Sequence, residues 1–270
     1  MMRLILGTGK VSTIIQNDDD TIISHEECDI ANFRRLEKVF LNFRPRVVIN
    51  TAAKTNLEYC EAHKRISYNT NTLGPINLLH LCKAYNAKLI HISSGCLFDG
   101  NDKIADETSI PNTSVWYTHI KKWADEYIEN YGYDNYLILR PRQMISATSH
   151  PTNMLTKFSN YEKIYAHREP NSITCVEDFK EMLEHLIAQD ARGTFNCCND
   201  GVITPYDIAI GVKEYIKPQL LVEEASYEYT LTLQANRRVN TILSNEKLKS
   251  TGYHPRTAKE ALKWTLQNYE

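Results

Sequence analysis

The first 140 residues alternate short β-branched runs with segments whose apolar side chains return every three or four positions, and few folds accept that alternation. Strands are expected over residues 4–6, 21–24, 47–50, 88–93 and 136–140, with helices over 31–43, 69–85 and 115–131 between them. Strands of a parallel sheet covered on both faces read as nearly continuous apolar runs, as Val47-Val48-Ile49 and Leu89-Ile90-His91-Ile92 do. The expected fold is α/β, a doubly wound parallel sheet of the Rossmann type. After Arg140-Pro141-Arg142 the rhythm changes to a polar stretch reaching Asn171, then a helix over 176–188, a strand near 194–197, a segment over 205–215 and a charged tail. A nucleotide-binding part is therefore expected over 1–145, with 175–197 returning to it. A smaller substrate-binding lobe is expected from 146–174 and 198–270.

Charge and composition narrow the function classes. The chain has 31 basic and 33 acidic side chains and a formal charge of −2, which argues against a nucleic-acid coat or a membrane-surface protein and suits a small anionic ligand. Seven cysteines without a repeated C-x-x-C read as thiols of a reducing compartment. No stretch reaches the roughly 20 apolar residues of a membrane span, so a cytoplasmic protein is expected. No His, Cys, Asp or Glu spacing suggests a metal site.

Two local motifs carry chemistry. Gly7-Thr8-Gly9-Lys10-Val11-Ser12 follows the first strand, and two glycines there let the backbone turn sharply and approach a pyrophosphate. Ser12 stands where a third glycine is usual. A tight turn that binds nothing is the plain alternative; the position after the first strand favours a dinucleotide. The choice between NADPH and NADH stays open, since His25, Glu26 and Glu27 follow the second strand while Lys10 and Lys54 lie where they could meet a 2′-phosphate.

The second motif is Tyr117-Thr118-His119-Ile120-Lys121, about twenty residues after a strand ending in Ser93-Ser94. A tyrosine and a lysine four apart share a helix face, so the ammonium is expected to lower the phenol from about 10, with Ser94 bonding the same substrate oxygen. This trio is similar to the proton-delivery set of short-chain dehydrogenases.

Over nearly its whole length the chain resembles the extended short-chain dehydrogenase/reductases of the 4-dehydrorhamnose reductase branch. The resemblance rests on Val47-Val48-Ile49-Asn50-Thr51-Ala52-Ala53, on Asn71-Thr72-Leu73-Gly74-Pro75-Ile76-Asn77-Leu78 and on Ile92-Ser93-Ser94-Gly95-Cys96-Leu97-Phe98-Asp99-Gly100. Further runs resemble the bifunctional UDP-4-keto-6-deoxyglucose 3,5-epimerase/4-reductases, or UDP-rhamnose synthases: Tyr59-Cys60-Glu61-Ala62-His63-Lys64, Asn153-Met154-Leu155-Thr156-Lys157, Pro170-Asn171-Ser172-Ile173-Thr174 and Gly193-Thr194-Phe195-Asn196. The short glycine turn and the Ser93-Ser94 pair depart from that pattern.

The resemblance implies a set of roles. Gly7, Gly9, Lys10, Val11, Asp29, Ile30, Ala52, Ala53, Lys54, Asn71, Tyr117 and Lys121 would hold the dinucleotide, with Asp29-Ile30 beside adenine. Ser94, Cys96, Asn153 and Asn171 would meet the sugar nucleotide, a UDP- or dTDP-linked 4-keto-6-deoxyhexose, and Arg237 and Arg238 are candidates for its diphosphate. A C4 ketone acidifies the C3 and C5 protons, so epimerisation needs two proton-transfer groups; the resemblance assigns Cys96 and a partly desolvated Lys157, with Tyr117 bonding the enolate and later protonating the C4 oxygen. His91 is expected to be a satisfied interior histidine. The rival readings are a reductase without epimerase activity, a 3-epimerase/4-reductase of an N-acetylated 4-ketohexose, and, in another class, a cofactor-bound regulatory subunit. By analogy with the superfamily, the helices over 69–85 and 115–131 would form a homodimer.

Overall fold

In the computed structural model, residues 2–235 and 238–270 are described, without the side chains of Asn101 and Asp102. In chain order the elements are β1 (Arg3–Leu6), α1 (Lys10–Ile15), β2 (Thr21–Ile23), α2 (Phe33–Phe43), β3 (Val47–Asn50), α3 (Leu57–Ala62), α4 (Lys64–Tyr68), a π-turn (Asn69–Leu73), α5 (Gly74–Tyr85), β4 (Lys88–Ile92), a 3-10 turn (Gly95–Leu97), β5 (Gly100–Ala105), α6 (Trp116–Asn130) and β6 (Tyr136–Arg140). They continue with β7 (Met144–Ile145), α7 (Met154–Ser159), β8 (Lys163–Ala166), β9 (Thr174–Cys175), α8 (Val176–Ala188), β10 (Gly193–Asn196), α9 (Pro205–Tyr215), β11 (Leu221–Glu224), α10 (Tyr227–Thr232), β12 (Thr241–Leu243), α11 (Glu246–Lys249) and α12 (Ala258–Gln267).

Two compact units result. The first comprises Met1–Leu97, Thr113–Arg140 and Asp190–Phe195; the second comprises Phe98–Asn112, Pro141–Gln189 and Asn196–Glu270. Relative to the expected boundaries, β5 joins the second unit, α8 stays with it, and only the short segment carrying β10 returns to the first.

A six-stranded sheet in the order β10-β6-β4-β3-β1-β2 builds the first unit, and β2, β1, β3, β4 and β6 pair in parallel. The order reverses after β2, which makes the sheet doubly wound, as expected. Every residue of β1 and β3 is buried, which is why their sequences are apolar runs rather than alternations. Leu4, Leu6, Val48, Leu89 and Ile138 meet Leu36 and Phe40 of α2 and Leu78, Leu79 and Cys82 of α5 in one core. Burying each such side chain stabilises the fold by roughly 1.5–3 kcal/mol. Asn32 caps α2 by accepting the Arg35 N–H, and Asn86 ends α5 in the left-handed region at φ 53.

The expected helix over 69–85 is longer and interrupted. The helical rod begins at Lys64, and a π-turn over Asn69–Leu73 separates α4 from α5. Pro75 supplies the physical reason: it has no N–H to give the Asn71 carbonyl four residues back, and its ring crowds that oxygen. The Gly74 N–H reaches to the Asn69 carbonyl instead, and one residue is looped into the turn.

The second unit has its own core, in which Ile145, Leu155, Ile164, Ile173, Ile208, Val212 and Leu262 pack together. Its strands form short two-stranded parallel pairs, β5 with β12, β7 with β9 and β8 with β11; α9 packs on β8 and β11, and α12 on β9. Both helices begin in capping boxes, Thr204 with Asp207 and Thr257 with Glu260. No helix among the described residues is long and apolar enough to cross a membrane.

Candidate active site

The first unit carries all of the expected dinucleotide residues together with Ser94, Cys96, Tyr117 and Lys121, whereas Lys157 belongs to the second unit. Gly7 ends β1 at φ +112, and its N–H bonds the Ile23 carbonyl at 2.9 Å. A Cβ there would lie 2.6 Å from Thr51 Oγ1 and 2.9 Å from Ala52 N, so both the backbone conformation and the close approach of the loop after β3 require glycine. Gly9 differs: a Cβ would meet nothing within 4 Å, which leaves open space above the turn. Ser12 is fully buried and donates to the Gly9 carbonyl at 2.6 Å, so a small side chain fills the place of a third glycine without separating α1 from the sheet. Lys10 is buried, and Val11 is half-buried.

The loop after β3 is held by the π-turn. Asn71, fully buried, accepts the Lys54 N–H at 2.8 Å and donates to the Lys54 carbonyl at 2.8 Å, which fixes Ala52-Ala53-Lys54 from below. The Asn71 amide, expected to meet the dinucleotide, bonds the Lys54 backbone and shapes the loop. Ile30 is buried against Gly74, where a Cβ would lie 2.5 Å from the isoleucine, and its carbonyl accepts from Asn77 Nδ2 at 3.0 Å. Asp29 beside it is half-exposed and turns its Oδ1 to the Ala31 N–H at 2.9 Å.

Ser94, Cys96 and Tyr117 come together where β4 passes through the 3-10 turn opposite the start of α6. Ser94 Oγ accepts the Cys96 N–H at 3.1 Å, and the Ser94 side chain lies near enough to the Tyr117 phenol to act on its titration. Among the described residues Cys96 is the one half-buried cysteine, and the other six are buried. Burial pushes the Tyr117 phenol well above its usual 10, the neighbouring Cys96 pushes it further, and Ser94 opposes both.

That direction corrects the expectation that Lys121 lowers the phenol. Lys121 is almost wholly buried, and its Nζ donates to the Ile92 carbonyl at 2.9 Å and lies 3.2 Å from His91 Nε2. The carbonyl at the end of β4 and the His91 ring hold the lysine nitrogen, and burial pulls the lysine down to about 8. Behind it lies a polar cluster that sequence reasoning missed: Asp125 Oδ2 accepts from Ser93 Oγ at 2.8 Å and from Arg140 Nε at 3.1 Å. The available signal was Asp125 itself, a carboxylate four residues after Lys121 on the apolar face of α6.

The substrate-side residues lie in the second unit, apart from Ser94 and Cys96. Asn153 is fully buried; it caps α7 through the Leu155 N–H and donates to the Ser146 carbonyl at 2.7 Å and the Thr148 carbonyl at 3.0 Å. Asn171 is buried too, donating to Asn240 Oδ1 at 2.6 Å and accepting the Thr241 N–H at 3.2 Å. Both amides hydrogen-bond within the chain and support the lobe. Lys157, in the last turn of α7, is exposed rather than partly desolvated. Arg238 Nε donates to Gln234 Oε1 at 2.7 Å, and Arg237 lies outside the described residues.

Residues 6–270 match the family described as the RmlD substrate binding domain. The chain belongs to that family. Among relatives of the RmlD domain in curated proteins, it is 29% identical over 231 residues to a bifunctional dTDP-4-dehydrorhamnose 3,5-epimerase/dTDP-4-dehydrorhamnose reductase of Arabidopsis thaliana, covering 81% of this chain and 75% of that protein. It is 27% identical over 231 residues to a trifunctional UDP-glucose 4,6-dehydratase/UDP-4-keto-6-deoxy-D-glucose 3,5-epimerase/UDP-4-keto-L-rhamnose-reductase of the same plant, covering 81% of this chain. The match spans 34% of that longer protein. The fold is similar to a dTDP-4-dehydrorhamnose reductase from Bacillus anthracis solved in complex with NADP, with a TM-score of 0.89, 21% identity and 100% of both chains covered. It is also similar to a UDP-rhamnose synthase from Acanthamoeba polyphaga mimivirus, with a TM-score of 0.86, 20% identity and 99% of both chains covered.

Proposed function

We propose that this RmlD-family protein is an NADPH-dependent reductase of a nucleotide-linked 4-keto-6-deoxyhexose, and that it also epimerises its substrate at C3 and C5 before reduction. The observation that carries the reading is the Tyr117 phenol, buried beside Ser94 and Cys96, on a doubly wound sheet whose first turn leaves Gly9 open to an approaching diphosphate. Bound at that turn, NADPH would supply the hydride. The chain supplies the proton: reduction of a ketone needs an acid at its oxygen, and a phenol held above its usual value stays protonated at neutral pH. Ser94 bonds the same oxygen and orients it. The relatives named for 4-dehydrorhamnose reduction and UDP-rhamnose synthesis support this substrate class.

For epimerisation, Cys96 removes a proton next to the ketone while the Tyr117 and Ser94 hydroxyls donate to the enolate oxygen, and Lys157, by resemblance, is the second proton-transfer group. Cys96 lies beside the phenol and is not sealed in the core, as a group that meets substrate must be. The names of the bifunctional and trifunctional relatives favour this reading over reduction alone.

The test is turnover of UDP- and dTDP-4-keto-6-deoxyglucose with NADPH in deuterated water. NADPH oxidation with deuterium at C3 and C5 of a rhamnose-type product is expected. Reduction without deuterium at those carbons would leave a simple reductase, and no NADPH oxidation with either nucleotide would overturn the proposal. Cys96→Ala is expected to abolish deuterium incorporation while a pre-epimerised 4-keto substrate is still reduced.

A further inference from the structure

The run Tyr59-Cys60-Glu61-Ala62-His63-Lys64 takes no part in the chemistry just described, yet it reaches the helix that carries Tyr117. Tyr117 is the second residue of α6, so the place of its ring depends on how the first turn of that helix is held. That turn lacks a cap of its own. Its N-cap residue is Val115, whose side chain has no acceptor, and none of its opening residues is acidic. The turn therefore offers neither an oxygen for its outermost N–H groups nor a negative charge for the positive end of the helix dipole. Glu61 supplies both from α3, 55 residues earlier in the chain: its Oε1 accepts the Trp116 N–H at 2.8 Å.

We infer that Glu61 is a positioning residue for Tyr117: as a cap supplied by another helix, it fixes the start of α6 and with it the place of the phenol. The inference rests on the proposed role of that phenol as the acid. Trp116, the residue before Tyr117, is gripped by α3 and α4 at three points. Its backbone N–H goes to Glu61, its indole N–H donates to Ser67 Oγ at 3.0 Å, and Lys64 Nζ lies 5.4 Å from the centroid of its ring. Lys64 Nζ also lies 3.7 Å from Glu61 Oε2, the carboxylate oxygen that the Trp116 amide does not use. The same helix is tied to the loop after β3, because the buried Cys60 thiol donates to the Lys54 carbonyl at 3.3 Å. Asn56 in turn caps α3, accepting the Tyr59 N–H at 2.7 Å. Two groups that ketone reduction must bring together, the loop expected to hold the dinucleotide and the helix carrying the acid, are thus referred to one short helix. A displacement of about 1 Å at a reacting group can cost on the order of 10²-fold in rate, so the hold on the first turn of α6 bears on catalysis as well as on stability.

The experiment uses the full-length protein and has an arm without substrate, so failure of the reductase proposal and failure of this inference are read separately. In the wild type the Trp116 amide, at a helix position whose N–H is ordinarily left to water, is expected to exchange slowly with deuterated solvent. Exchange as fast as that of an unbonded amide would overturn the inference. Glu61→Ala is expected to open that amide and to shift the ring carbon-13 resonances of Tyr117, assigned by their loss in Tyr117→Phe. Glu61→Gln keeps an acceptor oxygen at the same reach and is expected to restore both. With a 4-keto sugar nucleotide and NADPH, Glu61→Ala should lower kcat roughly 10–100-fold with the dissociation constant of NADPH unchanged, and Glu61→Gln should recover most of that loss. A folded Glu61→Ala protein whose Tyr117 resonances and kcat match the wild type would make Glu61 a cap for stability alone and overturn the inference. Should that variant not fold, the exchange of Trp116 in the wild type decides.

Discussion

Asn71 grips both polar atoms of the Lys54 backbone, accepting its N–H and donating to its carbonyl at 2.8 Å each. The π-turn forced by Pro75 presents that amide to the loop after β3, and the loop's neighbours Thr51 and Ala52 press against Gly7. A proline in one helix thereby shapes the backbone around the glycine turn of another element.

Asn71→Ala removes two hydrogen bonds and leaves two backbone groups of Lys54 without their partner. A loss of about 1–3 kcal/mol in unfolding free energy is expected, measured by denaturant titration, together with weaker NADPH binding measured by fluorescence. Unchanged stability would mean that water replaces the amide without cost.

The two glycines of the first turn are expected to separate structure from binding. Gly7→Ala puts a side chain at φ +112 and within 2.6 Å of Thr51 Oγ1, so a lowered Tm is expected by thermal unfolding. Gly9→Ala meets nothing within 4 Å, so its Tm should match the wild type while its affinity for NADPH falls.

Tyr117→Phe removes the acid and keeps the ring. A drop in kcat of roughly 10²–10⁴-fold is expected for NADPH-linked ketone reduction, with little change in the affinity for NADPH, from steady-state kinetics and direct titration. Because the buried phenol stays protonated, the acid-requiring step should also show no alkaline fall attributable to this tyrosine near its ordinary value of 10.

Lys121 makes the pH dependence of stability testable, with a definite sign. Its folded value is about 8 against 10.5 for an unhindered lysine, so between those values the unfolded chain holds a proton that the folded chain has released. Unfolding free energy from this residue therefore rises with pH across that window, and below about 8 the cost of burying the charge is fully present. In Lys121→Met that rise should disappear from denaturant titrations taken across the same pH range.

Much of the first unit was legible because its signals are local. Val47-Val48-Ile49 could only be a strand covered on both faces, and the apolar spacing around Leu36 and Phe40 could only be a helix with one buried stripe. The helix over Val176–Ala188 was legible for the same reason. The small strands of the second unit were not: β8, β11 and β12 are three or four residues long, and such short strands carry no periodicity. The capping box of Thr257 and Glu260 was a signal present in the tail and passed over.

The candidate site divides along a similar line. Gly7, Ser94, Tyr117 and Lys121 stand out by residue type and spacing, because a backbone at positive φ and two groups four apart on a helix are consequences of local geometry. Which way Lys121 would shift, and what it would touch, depended on Ile92, His91, Asp125 and Arg140, brought together by two strands and a helix. Asn153 and Asn171 show the same limit, since an amide reads identically in sequence whether it meets a ligand or its own backbone. Local order follows from neighbours along the chain; the protonation of a group follows from how much water and which charges surround it, and only the packed tertiary structure sets those.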